Sequence, residues 1–343
     1  MPGRGKVTLT DVAARAGVST TTASYIVNGR SSQMRISPDT ERRVREAVAK
    51  LGYRPNRNAR SLRTAKTSTI GLVTDFVASG MFASAMLTGA NAAARQADHL
   101  LVIGETDGNE SVRDLLIDEM VDRQVDGIIY VTRTALRTRL PERLHEIRAV
   151  MLNCVDPHRS VPSVLADERS GGAVAADALL AAGVDSGVYV VGEDPEPDAL
   201  AGPLRLAGVR ERFREKGARV SGVISCEWSV GAAYEAVGTW LDAGHVPRGL
   251  VCMNDRVAMG AYQALSDHDL GVPEDVSVVS FDGSELATWL RPQLSSVALP
   301  FTEMGALAVR LLLDPAPPTG RQLVPMRLMP GQSVRRSRVR GRV

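Results

Sequence analysis

The sequence predicts an α/β protein in which a small helical head precedes two doubly wound lobes of parallel sheet. Three observations carry this reading. The chain has 343 residues, too many for a single core at roughly 150 residues per domain. Charge is segregated along it: residues 1–66 hold fourteen Lys/Arg against four Asp/Glu, and residues 331–343 add five arginines and no acid. The formal net charge of +2 therefore leaves −13 on the 264 residues between. Finally, the hydrophobic pattern changes near residue 67, from helical spacing to short β-rich runs separated by amphipathic stretches of helical length.

The head reads as short helices. Thr10 is placed to cap a helix that runs through Arg15 and breaks at Gly17, and Ser19 to cap a second that ends at Asn28. Val12, Ala13, Ala16, Val18, Ala23, Ile26 and Val27 supply the apolar face, with alanines small enough for two helices to cross closely. Ser37-Pro38-Asp39-Thr40 opens a third helix with a cap, a proline at its first position and an acid at the positive end of the dipole. Val44, Ala47, Val48 and Leu51 then recur at i, i+3, i+4, i+7, and Gly52 stops the helix. Residues 55–62 form a short basic segment of helical capacity, and residues 64–68 a polar linker.

Beyond the linker, β-rich runs at 70–74, 100–104, 127–131, 150–153, 187–191, 250–253 and 276–281 alternate with helical spacers. Continuous apolar runs of this kind belong to parallel sheets covered on both faces. About 250 residues of the pattern fit two lobes better than one. The tail from residue 331 is arginine-rich, lacks a core pattern and is expected to be disordered.

Composition narrows the function. Hydrophobic residues make up 44% and charged residues 23% of the chain, as in ordinary soluble globular proteins. No run approaches the roughly 18 apolar residues of a membrane span, and no secretory leader is written at the N-terminus; the expected compartment is the cytoplasm. Cys154, Cys226 and Cys252 lie far apart without a C-x-x-C, so free thiols are expected rather than a zinc site or disulfides. No nucleophile elbow, zincin, P-loop or dinucleotide signature occurs, and no catalytic residue, metal site or cofactor is predicted. An α/β enzyme and a transport solute-binding protein are the rival readings. A basic head on an acidic body instead matches a nucleic-acid reader carrying a separate module.

The run Val7-Thr8-Leu9-Thr10-Asp11-Val12-Ala13-Ala14-Arg15-Ala16-Gly17-Val18-Ser19-Thr20-Thr21-Thr22-Ala23-Ser24 closely resembles the helix-turn-helix of the LacI/GalR family of transcriptional regulators. Similarity continues through Val27-Asn28 and Gly52-Tyr53-Arg54-Pro55-Asn56, then through Arg57-Asn58-Ala59-Arg60-Ser61-Leu62, which looks like the hinge helix of that family. Arg123-Gln124-Val125-Asp126-Gly127, Arg205-Leu206-Ala207-Gly208, Asn254-Asp255-Arg256-Val257-Ala258 and Val278-Val279-Ser280-Phe281-Asp282 follow in the family's order. The resemblance implies a lambda-repressor-like head at 1–54, a hinge helix and linker at 55–67, and a periplasmic-binding-protein-like effector and dimerisation domain at 68–330. Within the last, the N-lobe is expected over about 68–167 plus 298–325 and the C-lobe over about 168–297.

By the same resemblance, Thr8, Thr20, Thr21, Thr22, Tyr25 and Asn28 contact DNA, with the second helix in the major groove. Tyr25 stands where the family most often has arginine, so a bidentate contact to guanine is absent there. Arg57, Arg60 and Arg63 are expected on phosphates, Ala59 beside them, and Leu62 wedged into the minor groove from paired hinge helices. Asp75, Phe82, Arg205, Trp228, Asn254, Asp282 and Phe301 are expected to line an effector cleft suited to a polyol. Carboxylates and Asn would bridge hydroxyls, Arg would fork onto oxygens and Trp would stack. Asp167 and Asp255 read as structural. Two departures stand out: Ala97-Asp98-His99 replaces a glycine turn, and Asn153 occupies a carboxylate position. The implied partners are pseudo-palindromic double-stranded operator DNA, a small effector such as a sugar, and a second copy of the chain. The implied function is a repressor under effector control.

Overall fold

The computed structural model describes residues 7–53, 66–75, 83–158, 161–192 and 198–335. The chain forms two compact units, Met1–Thr67 and Ser68–Val343.

In the first unit, α1 spans Leu9–Ala16, α2 Thr20–Val27 and α3 Pro38–Leu51. The cap of α1 is Thr8, two residues before the expected Thr10. Both threonines can cap, and Asp11 decides between them. Its backbone N–H donates to Thr8 Oγ1 at 3.3 Å while its carboxylate accepts from the Thr8 N–H at 2.8 Å, a reciprocal capping box. Gly17 (φ 65°) ends the helix in the left-handed region, where a Cβ would be strained. Ser19 caps α2 through the Thr22 N–H at 3.1 Å, and Ser37 caps α3 through the Thr40 N–H at 3.3 Å. Val12, Ala13, Ala16, Ala23, Ile26, Val44 and Ala47 form the buried core of this unit.

The second unit holds two six-stranded sheets. The N-lobe sheet runs in the order β11-β5-β4-β3-β1-β2, all parallel. Its strands are β1 (Thr69–Thr74), β2 (Leu100–Glu105), β3 (Ile128–Arg137), β4 (Ala149–Val155), β5 (Ser163–Ala166) and β11 (Arg321–Val324). Around it lie α4 (Ala83–Gln96), α5 (Glu110–Asp122) and α11 (Phe301–Leu313). The C-lobe sheet runs β12-β10-β9-β8-β6-β7, with only β12 antiparallel. It comprises β6 (Val188–Val191), β7 (Gly222–Ile224), β8 (Gly249–Cys252), β9 (Ser277–Asp282), β10 (Ser295–Ala298) and β12 (Arg327–Met329). Its helices are α6 (Glu168–Ala181), α7 (Ala201–Glu215), α8 (Val230–Asp242), α9 (Asp255–Asp267) and α10 (Glu285–Trp289).

Strands β4, β8 and β9 are buried along nearly their whole length, which is why they read as continuous apolar runs. Each buried Val, Leu or Ile among them contributes about 1.5–3 kcal/mol by leaving water. In each sheet the strand order reverses beside the first strand, at β1/β3 in the N-lobe and β6/β8 in the C-lobe. A crevice at the carboxyl ends of the strands follows from that topology. The chain passes between lobes three times, from β5 to α6, from β10 to α11 and from β11 to β12.

Two features differ from the sequence reading. Strand β3 does not stop at Val131; it shifts register and continues to Arg137. There the Arg137 N–H donates to the Asp198 carbonyl at 2.9 Å and the Leu200 N–H to the Ala135 carbonyl at 2.8 Å, tying the N-lobe sheet to the start of α7. Residues 331–335 are not disordered either. Ser333 is fully buried, donates from Oγ to the Val278 carbonyl at 2.5 Å and accepts the Ser295 N–H at 2.8 Å. Backbone and hydroxyl bonds hold this segment to β9 and β10, and such bonds leave no apolar periodicity to read. The remaining tail residues lie outside those described.

Candidate functional site

On the head, Thr20 and Thr21 at the start of α2 are exposed, and Tyr25 one turn on is half-buried. Thr22 shares a 2.9 Å hydroxyl contact with Ser19, and Thr8 is committed to its capping box. Asn28 closes the other end of α2, donating from Nδ2 to the Ser24 carbonyl at 2.7 Å. Thr8, Thr22 and Asn28 thus hold helix ends, while Thr20 and Thr21 present free surface. Arg57, Ala59, Arg60, Leu62 and Arg63 lie outside the described residues.

The positive charge of the head is unevenly available. On α3, Arg42, Arg43 and Arg45 pair with Asp39, Glu41 and Glu46. Arg15, Arg30, Arg35 and Lys50 are exposed and in no ion pair among the described residues. These are the cations of the described head best placed to meet a polyanion.

In the second unit, Asp75, Asn254 and Asp282, singled out by sequence, lie at strand ends. Asp75 follows β1, and its Oδ1 accepts the Arg133 N–H at 3.0 Å. Asn254 follows β8 and caps α9, accepting the Val257 N–H at 2.7 Å. Asp282 ends β9 in a strained backbone, at φ 107°. Trp228 follows β7, and its Nε1 finds no partner among the described residues. Phe301 opens α11 and is buried. Phe82 lies outside the described residues.

Arg205 brings the C-lobe group together. It extends from α7 beneath the ends of β8 and β9, with Cζ 4.6 Å from the Phe281 ring centroid and 5.5 Å from that of Trp228. Its Nη1 donates to the Met253 carbonyl at 2.6 Å, adjacent to Asn254. Its other two nitrogens close on Glu168 at the first turn of α6. Sequence reasoning missed Glu168, because an acid in a helix's first turn reads as a partner for the dipole.

Asp255 is a structural hub, as read. Wholly buried, it accepts from the Ser280 hydroxyl at 2.5 Å, the Ser296 hydroxyl at 2.7 Å, and the Ser284 N–H and hydroxyl at 2.8 and 2.7 Å. These bonds clamp the loop that carries Asp282. Asp167 caps α6 through the Ser170 N–H at 3.1 Å. Asn153, at φ 61°, donates to the Thr132 and Arg133 carbonyls, both at 3.1 Å, and so shapes the register shift of β3. In the replaced glycine turn, Asp98 takes the left-handed φ of 58°, and His99 Nε2 lies 3.2 Å from Asp126.

Burial raises the Asp282 carboxyl to about 8, against the opposing pull of Arg205, while Asp255 and Glu168 push it further up. The three cysteines are free thiols, and burial drives Cys226 up to about 11 and Cys154 to about 12, which favours the protonated thiol. Among the described residues, no cluster could hold a metal ion and no helix is long and apolar enough to cross a membrane.

Residues 8–56 match the family model described as bacterial regulatory proteins, lacI family, and residues 176–334 that of the periplasmic binding protein-like domain. The chain is similar to catabolite control protein A of Priestia megaterium, 30% identical over 89% of this chain and 91% of the relative. It is also similar to the HTH-type transcriptional regulator RegA of Clostridium saccharobutylicum, 30% identical over 88% and 90%. Among solved structures, the lac repressor dimer bound to operator and an anti-inducer superposes with a TM-score of 0.75 at 25% identity, covering 96% of this chain and 99% of that one. The complex of the transcriptional regulator CelR with cellobiose gives 0.67 at 26% identity, over 95% and 99%.

Proposed function

The chain belongs to the LacI family of bacterial regulatory proteins, and from that premise we propose that it is a cytoplasmic, homodimeric repressor whose operator binding is set by a sugar-like effector. The carrying observation is that both halves of such a device occur in one chain: a capped helix-turn-helix and a two-lobed unit with polar groups at its strand ends. It is a transcription regulator rather than an enzyme.

In this reading α2 enters the major groove with Thr20, Thr21 and Tyr25 toward the bases. Thr8, Thr22 and Asn28 set the pose of the helix and meet the backbone. Arg57, Arg60 and Arg63 neutralise phosphates beside Ala59, and Leu62 wedges the minor groove. The effector sits among Asp75, Phe82, Trp228, Asn254, Asp282 and Phe301, with Arg205 forming the wall behind them. Effector contacts that differ between lobe arrangements shift the balance between DNA-competent and DNA-incompetent dimers. Homodimerisation is supported by an apolar strip on edge strand β2 and helix α5, where Leu100, Val102, Ile103, Val112, Leu115 and Val121 are exposed.

The test is selection of operator sequences from random DNA by the full-length protein, followed by anisotropy titrations with and without a panel of mono- and disaccharides. A two-fold-symmetric motif whose affinity one sugar changes is expected. Failure to enrich any motif would overturn the reading.

A further inference from the structure

The cleft end of the C-lobe contains one buried cation, and the protein itself has already answered it. Arg205 and Glu168 are 2% and 4% exposed. The Arg205 Nε donates to Glu168 Oε2 at 2.6 Å, Nη2 to Oε1 at 3.2 Å and Nη1 to the Met253 carbonyl at 2.6 Å. All three guanidinium nitrogens are engaged, in the side-on bidentate geometry that would otherwise receive a carboxylate or phosphate. Helices α6 and α7 hold the pair rigidly, because Gly172 packs on the Arg205 backbone and Gly208 on that of Arg169.

The charges that act on the Asp282 carboxyl are Arg205, Asp255, Arg256 and Glu168. Asp255 is saturated by its serine donors, and Arg256 is exposed in the first turn of α9, within electrostatic reach of Asp282. An anion arriving beside Asp282 would meet carboxyl groups and an occupied Arg205, with only the solvent-exposed and therefore screened Arg256 in electrostatic reach, so its lost hydration would go largely uncompensated. Hydroxyls do not carry that penalty, because they can both donate to and accept from Asn254 and Asp282.

We propose that Glu168 is a specificity-determining residue of the cleft: by filling the Arg205 fork it makes the site take an uncharged polyol and reject sugar phosphates and sugar acids. This rests on the effector-cleft reading above, and it adds the charge class of the ligand.

The experiment uses inorganic phosphate as the probe and the thermal unfolding of the full-length protein as readout, at constant ionic strength. Four forms are compared: wild type, Glu168→Gln, Glu168→Gln with Arg205→Met, and Glu168→Met with Arg205→Met. The basic head is identical in all four, so phosphate bound there cancels. Wild type is expected to respond to phosphate as the double-Met form does. Glu168→Gln, with its guanidinium released, should bind phosphate at least about tenfold more tightly, and Arg205→Met should erase that gain.

A folded Glu168→Gln form without the gain would overturn the proposal, since Glu168 would not be what keeps anions out. A wild-type phosphate response that the double-Met form lacks would overturn it as well, and that arm stands even if Glu168→Gln fails to fold. Neither arm reads DNA. A failed charge assignment therefore leaves operator selection intact, and failed operator selection leaves the phosphate result standing.

Discussion

Gly172 lies directly against the backbone carbonyl of Arg205: a Cβ at residue 172 would sit 2.2 Å from that oxygen. The contact is reciprocal, since a Cβ at Gly208 would sit 1.9 Å from the Arg169 carbonyl oxygen. Backbone meets backbone at both points, so neither helix can relax by rotating a side chain. Gly208→Ala should therefore destabilise the second unit by about 1–3 kcal/mol or more. It should also weaken the effector response in proportion, because it parts α6 from α7. Urea unfolding and effector titration check this together; an unchanged midpoint would mean that the helices are less tightly seated than described.

Asp282 should make stability pH-dependent in an unusual direction. Its folded-state pKa is raised to about 8 by burial, whereas an unfolded Asp releases its proton near 3.9. Between those values the folded state holds more protons than the unfolded state, so this contribution is complete below about pH 4 and is lost as pH rises toward 8. Asp282→Asn removes the titration. Its stability relative to wild type should climb from pH 5 to 8 and then level off in a series of denaturant melts. Parallel curves would show that the carboxyl is ionised in the fold.

Leu115 is exposed on α5 beside edge strand β2. Leu115→Asp should leave the monomer's stability within about 0.5 kcal/mol, as for most surface changes, while shifting the dimer toward monomer. Sedimentation at several concentrations reads the shift. Operator affinity should fall in parallel, because in the proposed dimer paired heads bind the half-sites.

Tyr25→Arg should move one base preference per half-site toward guanine, with discrimination of about 1–3 kcal/mol. Binding to a library of single-base operator variants measures this. An unaltered preference would place the side chain of residue 25 on the backbone or the head's own core.

The head was largely legible because its signals are local. Ser37-Pro38-Asp39, Gly17 and Gly52 punctuate helices by chemistry that needs no tertiary partner. Only the start of α1 moved, since choosing between Thr8 and Thr10 depends on which one Asp11 can answer. In the lobes, the central strands announced themselves by burial on both faces. Strands β5, β7, β10, β11 and β12, three or four residues each, are too short to show a period. At the site, strand-end positions could be named from sequence, whereas the embrace of Arg205 by Glu168 spans 37 residues and exists only once α6 and α7 are packed. A charged residue's burial is a property of the fold, not of its neighbours in the chain.

The triple passage between lobes has a consequence for synthesis. Neither lobe is a continuous stretch of polypeptide: the N-lobe sheet waits for β11 at Arg321–Val324, and the C-lobe sheet for β12 and the buried Ser333. A chain emerging from the ribosome can fold residues 7–53 early, as N-terminal domains generally do. Its two sheets stay unsealed until β11, β12 and Ser333 have been made. A nascent or prematurely released chain would thus carry a finished reading head without a completed second unit. Rapid removal of such fragments by proteolysis would then matter to the cell.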